Sequence, residues 1–259
     1  MKIFQVDAFA DRPFKGNPAA ICIMDQEMPD SWMQGLAADM NLSETAFLRK
    51  TGDVYSLRWF TPKVEVDLCG HATLASAHVL WEKDYLSINE IAKFQTKSGL
   101  LTAKKDNEWI ELNFPETPVS AVEIPKGMEE NLGAKIIFMG KSKFDYFAEL
   151  ESEDVVKKLI PDFGQLAKFE VRGIIITAKS GSYDFVSRFF APHAGINEDP
   201  VTGSAHSALY PYWSNKLDKK ELHAFQTSER GGELKLNSDK GRVLIAGKAI
   251  TIFDGNLKI

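Results

Sequence analysis

Asp67-Leu68-Cys69-Gly70-His71-Ala72-Thr73 and Asp199-Pro200-Val201-Thr202-Gly203-Ser204-Ala205-His206 open two helical stretches built largely from small and apolar residues. The first continues through His71–Trp81, with Ala72, Leu74, Ala75, Ala77, Val79 and Leu80 spread over nearly every face. A helix that is apolar all round belongs inside a fold, not on its surface. The second continues through Gly203–Trp213. Setting Cys69-Gly70-His71-Ala72 beside Thr202-Gly203-Ser204-Ala205 superposes glycine on glycine and alanine on alanine, a faint internal duplication.

The flanking segments repeat the same order. Before the first helix come strand candidates at Lys2–Phe9 and Ala19–Met24 and a helix capped by Asp30 or Ser31, with Met33, Leu36, Ala37 and Met40 on one stripe. Strands at Thr45–Leu48, Val54–Phe60 and Val64–Leu68 follow, and three more run from Lys93 to Phe114. Pro115-Glu116-Thr117-Pro118 then breaks the pattern, which predicts halves of residues 1–115 and 116–259. The second half reads as strands Lys135–Met139 and Tyr146–Glu149, an amphipathic helix Glu153–Ile160, strands Gly173–Ala178 and Asp184–Phe190, the second enclosed helix, and closing strands. Long strand runs with one enclosed helix per half predict an α+β fold of two similar domains, with both helix starts at a cleft between them.

Composition narrows the partners. Thirty-one basic against 36 acidic residues give a net charge of −5, whereas a nucleic-acid binder carries a basic surplus to neutralise phosphates. No run approaches the 18 or so apolar residues of a membrane span, and the first residues lack the apolar stretch of a signal peptide. Two cysteines, Cys22 and Cys69, make no disulfide framework, and no CxxC or HxxxH spacing suggests zinc. The expectation is a cytoplasmic protein with a core built without metal or disulfide, and nothing implies a nucleotide, flavin or metal cofactor.

Each candidate residue also has an ordinary explanation. The glycine-led helix starts offer N–H groups without helical partners and partial positive charge to an anion, yet for either start alone ordinary capping, with Thr202 as cap, is the commoner explanation. A lone Glu44 at a strand entrance is commonly a solvated charge, and His71 a core histidine. Asp199 before Pro200 suits a turn or a cap. Ser204 lacks a Ser-His-Asp arrangement, since His206 lies two residues on and points elsewhere. Cys69 at a helix N-terminus suggests a lowered thiol pKa, although a buried inert thiol is the commoner fate.

FQVDAF with Gly16-Asn17-Pro18, then NLSETAF, RWFTP with DLCGHAT, and EDPVTGSAH stand in that order along the chain. Together they resemble the PhzF-like isomerase family of phenazine biosynthesis, from Lys2 to the C-terminal strands. The resemblance implies the diaminopimelate-epimerase fold: two similar domains, each wrapping strands around a central helix, with the active site between them. It implies catalytic roles for Glu44, His71, Asp199 and Ser204, and substrate binding by Gly70, Ala72, Thr202 and Gly203. Cofactor-independent proton relocation on a small carboxylate substrate, Glu44 acting as acid and base, is the implied activity, and a homodimer the implied assembly. Related racemases use a cysteine at each helix start; this chain has Cys69 but Thr202, and a threonine hydroxyl cannot replace a thiolate base near neutral pH. An amino-acid racemase is therefore the enzymatic alternative, and a non-catalytic small-anion binding protein the alternative of another class. The substrate is not legible in the residues.

Overall fold

The computed structural model describes residues 1–258 and divides the chain into two compact units, Met1–Phe114 with Leu244–Ile259, and Pro115–Val243. The chain begins β1 (Lys2–Ala8), β2 (Asn17–Ile23), α1 (Asp30–Met40), β3 (Glu44–Thr51), β4 (Val54–Phe60), β5 (Glu65–Val66), α2 (Gly70–Glu82), β6 (Ala92–Thr96), β7 (Gly99–Asp106) and β8 (Trp109–Pro115). It continues β9 (Ser120–Ala121), α3 (Met128–Leu132), β10 (Ile136–Lys141), β11 (Asp145–Leu150), α4 (Glu153–Lys158), α5 (Phe163–Leu166), β12 (Gly173–Lys179), β13 (Phe185–Ala191) and β14 (Ile196–Asp199). It closes with α6 (Gly203–Leu217), β15 (Leu222–Gln226), β16 (Gly232–Asp239), β17 (Arg242–Gly247) and β18 (Ala249–Asn256).

One topology is used twice. In the first unit β2 and β3 are parallel across α1, β3 and β4 antiparallel, β5 an antiparallel addition to β4, and β4 and β6 parallel across α2. In the second, β11 and β12 are parallel across α4 and α5, β12 and β13 antiparallel, β14 an antiparallel addition to β13, and β13 and β15 parallel across α6. Parallel neighbours require a crossover, and helices supply all four of them.

Alanine and leucine on every face of α2 have the consequence the sequence suggests: Gly70 through Ala77 and Val79 through Trp81 are buried. Its polar members turn inward on the helix itself, Thr73 Oγ1 donating to the Cys69 carbonyl and Ser76 Oγ to that of Ala72. The outer helix α1 instead lays Met33 and Leu36 over Cys22, Phe47 and Phe60.

Four local expectations are corrected. Residues 244–259, assigned from sequence to the second half, belong to the first unit, because β18 pairs antiparallel with β1 from Lys2–Asn256 to Ala8–Ala249. The helix over 153–160 stops at Lys158, since Ile160 precedes Pro161 and such a residue is pushed out of the helical region. Pro29, not Asp30 or Ser31, occupies the N-cap of α1. The second enclosed helix passes Trp213 to reach Leu217 despite Pro211 inside it. A proline there withholds the N–H that would meet Ser207 four residues back, and the Thr117 N–H takes that carbonyl at 3.0 Å.

Candidate active site

The loop after β1 sets the first part of the site. Asp7 is buried and accepts the Phe14 N–H at 2.8 Å, tying down the turn that ends in Gly16-Asn17. Gly16 has φ +64°, and a Cβ there would stand 2.0 Å from the Ala8 carbonyl oxygen, so only glycine fits. Asn17 then opens β2 with its amide nitrogen 3.1 Å from His71 Nδ1.

Nε2 faces Glu44. Glu44 is the first residue of β3 and His71 the second of α2; their side chains are 14% and 5% exposed, with Oε2 and Nε2 3.2 Å apart. Neither atom has a well-directed hydrogen bond. Buried polar atoms are seldom left so, and the pair is poised to share a proton with something else. Burial works against charge on His71, but Cys69 and Glu44 beside it outweigh burial and raise its pKa well above the histidine range. The Cys69 thiol, 3.6 Å from Nδ1, is itself pushed up to about 11, chiefly by burial and then by Glu44. It is therefore a neutral thiol at pH 7. The lowered thiol pKa expected from the helix start is thus corrected: an end-of-helix dipole is worth about 0.3–1 kcal/mol, less than desolvating a thiolate.

Glu44, Cys69 and His71 place one ligand atom each within 4.8 Å of one another, a donor set compatible with zinc. A cation there must displace the Cys69 proton, and the imidazole presents different nitrogens to the other two groups. That set is better suited to protons than to a metal.

The second unit builds a different constellation at the matching helix start. Thr202 occupies the N-cap of α6, but its side chain takes no helix N–H; its hydroxyl donates to Asp199 Oδ2 at 2.5 Å. Gln226, fully buried, accepts the Thr202 N–H at 2.8 Å and donates to the Asp199 carbonyl at 2.7 Å. The Thr202 hydroxyl and N–H are thus both engaged within the protein, where they hold the loop. Ser204 accepts from Arg172 Nη1 at 3.0 Å, and Arg172 grips Asp145 through Nε at 2.8 Å and Nη2 at 2.5 Å. Asn17, Gln226, Arg172 and Asp145 were not singled out from sequence; only Asn17 lies in a quoted motif.

His206 points away from this, as its spacing implies: it is fully buried, with Nδ1 2.9 Å from the Thr202 carbonyl and its ring stacked near Phe185. Burial pulls its pKa from 6.5 to about 4. Between those values the unfolded chain binds the proton and the folded one does not, so stability falls as pH falls from 6.5 to 4. At about 1.4 kcal/mol per unit the loss is on the order of 3 kcal/mol. Urea titrations should show that slope in the wild type and a shallower one in His206→Gln.

Two topologically duplicated α+β units, each with an enclosed helix whose start carries the polar groups, define the PhzF and diaminopimelate-epimerase-like class. Comparison with known proteins agrees. The family model described as phenazine biosynthesis-like protein matches residues 6–255. An uncharacterized isomerase of Halalkalibacterium halodurans is 53% identical over 98% of this chain and 97% of its own. The crystal structure of a PhzF-family phenazine biosynthesis protein from Enterococcus faecalis superposes with TM-score 0.96 at 44% identity, covering 100% and 99% of the two chains. A hydroxyproline epimerase from Agrobacterium vitis shares the fold at TM-score 0.67 and 11% identity, over 98% and 91% of the chains. The chain belongs to the phenazine biosynthesis-like family and is an isomerase of that family. No helix among the described residues is long and apolar enough to cross a membrane.

Proposed function

We propose that the protein is a cofactor-independent isomerase that moves a proton between positions on a small carboxylate substrate, with Glu44 as the acid and base. The observation that carries this reading is the buried Glu44–His71 pair, 3.2 Å apart and short of hydrogen bonds. A carboxylate with an imidazole beside it takes a proton from carbon and returns it without a metal or cofactor. His71 holds the proton balance of the pair, and Asn17 fixes its ring. At the start of α2 the Gly70 N–H suits a carboxylate or a developing oxyanion, helped by the α2 dipole, while that of Ala72 bonds to the Cys69 sulfur. By the family resemblance, Asp199, Ser204 and the Gly203 N–H also hold substrate and move protons. A two-thiol racemase is disfavoured, because Thr202 stands where the second thiol belongs and its hydroxyl is bound to Asp199. Homodimer assembly and a cytoplasmic location belong to the same reading.

The test is proton NMR in D₂O with a panel of cyclic and amino carboxylates. Enzyme-dependent deuterium uptake at carbon is expected for at least one. Uptake that inverts a single stereocentre without moving a double bond or proton elsewhere would replace this reading with racemisation.

A further inference from the structure

The arginine of the RWFTP stretch has no part in the site above, yet the fold uses it twice. Arg58-Trp59-Phe60-Thr61-Pro62, running off the end of β4, has a counterpart in Arg188-Phe189-Phe190-Ala191-Pro192 at the end of β13, the equivalent strand. Arg58 holds Glu65 of β5 in two parallel bonds, Nε to Oε1 at 2.7 Å and Nη2 to Oε2 at 2.8 Å. Arg188 holds Glu198 of β14 in the same way, at 2.8 and 2.9 Å. Each glutamate stands five residues before the glycine that opens the enclosed helix, Gly70 or Gly203. The remaining nitrogen, Nη1, reaches the outer helix: Asp30 at the start of α1 in one unit, the Val156 and Leu159 carbonyls at the end of α4 in the other. The ring under each guanidinium is matched as well, Phe60 at 5.2 Å and Phe190 at 4.9 Å. The helix starts themselves differ, His71 against Ser204, while the clamp beside them is the same.

Resting on the proton-transfer reading above, we propose that Arg58 is a positioning residue that, through Glu65, sets His71 against Glu44. Glu44 is secured by its own strand, since β3 pairs with β4 from Thr45–Phe60 to Thr51–Val54. His71 is delivered by β5, a two-residue strand that meets β4 at Phe60–Glu65 and Trp59–Val66. So short a ladder leaves the entry to α2 free to slide or tilt. The fork on Glu65 ties that entry to β4, the strand already in register with the one that carries Glu44. The hairpin of β6 and β7 grips the same segment, with Lys97 Nζ 2.5 Å from Glu65 Oε2 and Ser98 Oγ donating to the Asp67 carbonyl at 2.7 Å. The Arg58 and Glu65 side chains are 27% and 14% exposed. Hydrocarbon of similar volume often serves stability as well as such an ion pair does. What the fork adds is register, because two parallel charge-assisted bonds admit one placement of the carboxylate. Lysine carries the charge but not the fork.

The experiment follows the His71 imidazole by heteronuclear NMR of histidine-labelled protein, beside deuterium-uptake kinetics, in Arg58→Lys and Glu65→Asp. The His71 signals are assigned by their absence from His71→Gln. Both test variants keep the charge and lose the fork, and circular dichroism is the fold control. Against burial, Cys69 and Glu44 raise the His71 pKa, so an imidazole drawn away from Glu44 should titrate lower in both variants. Losing the cation alone acts the other way. Arg58→Gln should therefore raise the His71 pKa if Arg58 acts by charge, which overturns the proposal, and lower it if Arg58 holds the ring in place. The kinetic counterpart is a kcat about tenfold lower with KM within about twofold, since a misplacement of about 1 Å costs up to about 10²-fold in the chemical step. Arg188→Lys breaks the matching clamp and should leave the His71 titration where it is. An unmoved His71 pKa in folded Arg58→Lys or Glu65→Asp overturns the proposal while leaving the isomerase reading in place. An equal fall in Arg188→Lys, the mark of general loosening, overturns it too. Should one of the two test variants not fold, the other decides; failure of both makes the clamp a folding element and ends the positioning role. If no carboxylate turns over, the isomerase reading fails by itself, and the His71 titration still sustains or ends the placement of His71 by Arg58.

Discussion

Glu44→Gln folds like the wild type and loses 10²- to 10⁴-fold in kcat, the range a positioned acid–base group contributes. Glutamine matches the carboxylate in shape and keeps the hydrogen-bonding reach of Oε2, but it cannot take a proton at any working pH. Steady-state kinetics on the substrate identified by deuterium uptake gives the size of the loss. Glu44→Asp, with the carboxylate drawn back by one methylene, should lie between the two. The variant also has a signature in stability. Glu44 helps raise the folded-state pKa of His71, so the pair's contribution is fully present below the unfolded histidine value of about 6.5 and is lost as pH rises through the folded one. The difference in unfolding free energy between wild type and Glu44→Gln should accordingly be largest around pH 6 and shrink as pH rises above it. A constant difference would mean that the two side chains are not coupled.

Gly16→Ala costs about 3 kcal/mol or more in urea unfolding. Two effects add. A non-glycine residue at φ +64° carries strain of about 1–3 kcal/mol, and the new Cβ would lie 2.0 Å from the Ala8 carbonyl oxygen, which is backbone and cannot swing aside. Gly52→Ala separates the two: φ there is +62° but nothing lies within 4 Å of the added carbon, so about 1 kcal/mol is expected. The damage at Gly16 also reaches the chemistry. Asn17 is the next residue, and moving it releases His71 Nδ1. Folded Gly16→Ala protein should therefore show lower kcat as well as lower stability. Equal stability losses at positions 16 and 52 would mean that the backbone relaxes more freely than its geometry indicates.

What the sequence revealed and what it concealed follow from the range of the interactions. The enclosure of α2 is visible because Ala72, Leu74, Ala75, Ala77, Val79 and Leu80 lie within a few turns of one another. The placement of residues 244–259 is hidden because β18 pairs with a strand nearly the whole chain away. Glu44 and His71 are individually unremarkable, and only the motifs around them raised their standing. Asn17, Gln226 and the Arg172–Asp145 pair were missed for a related reason: Asn17 finds His71 54 residues on, and Arg172 reaches back 27 to Asp145 and on 32 to Ser204. No periodicity connects such residues. Thr202 misled in another way. Its type and position suit a side-chain cap, but its hydroxyl donates to Asp199 and accepts from Gln226 Nε2 rather than from a helix N–H.

The central claim is that a carboxylate, not a thiol, carries the proton. Its most direct test is the rate of carbon-bound deuterium uptake in Cys69→Ala and Glu44→Gln, measured side by side on one substrate with both proteins shown to be folded. Cys69 is buried and its thiol stays protonated at neutral pH, so Cys69→Ala should keep most of the wild-type kcat/KM, losing only what repacking beside His71 takes. Glu44→Gln should lose at least a hundredfold. A collapse in Cys69→Ala with Glu44→Gln near the wild-type rate would contradict the account and return the chemistry to the thiol.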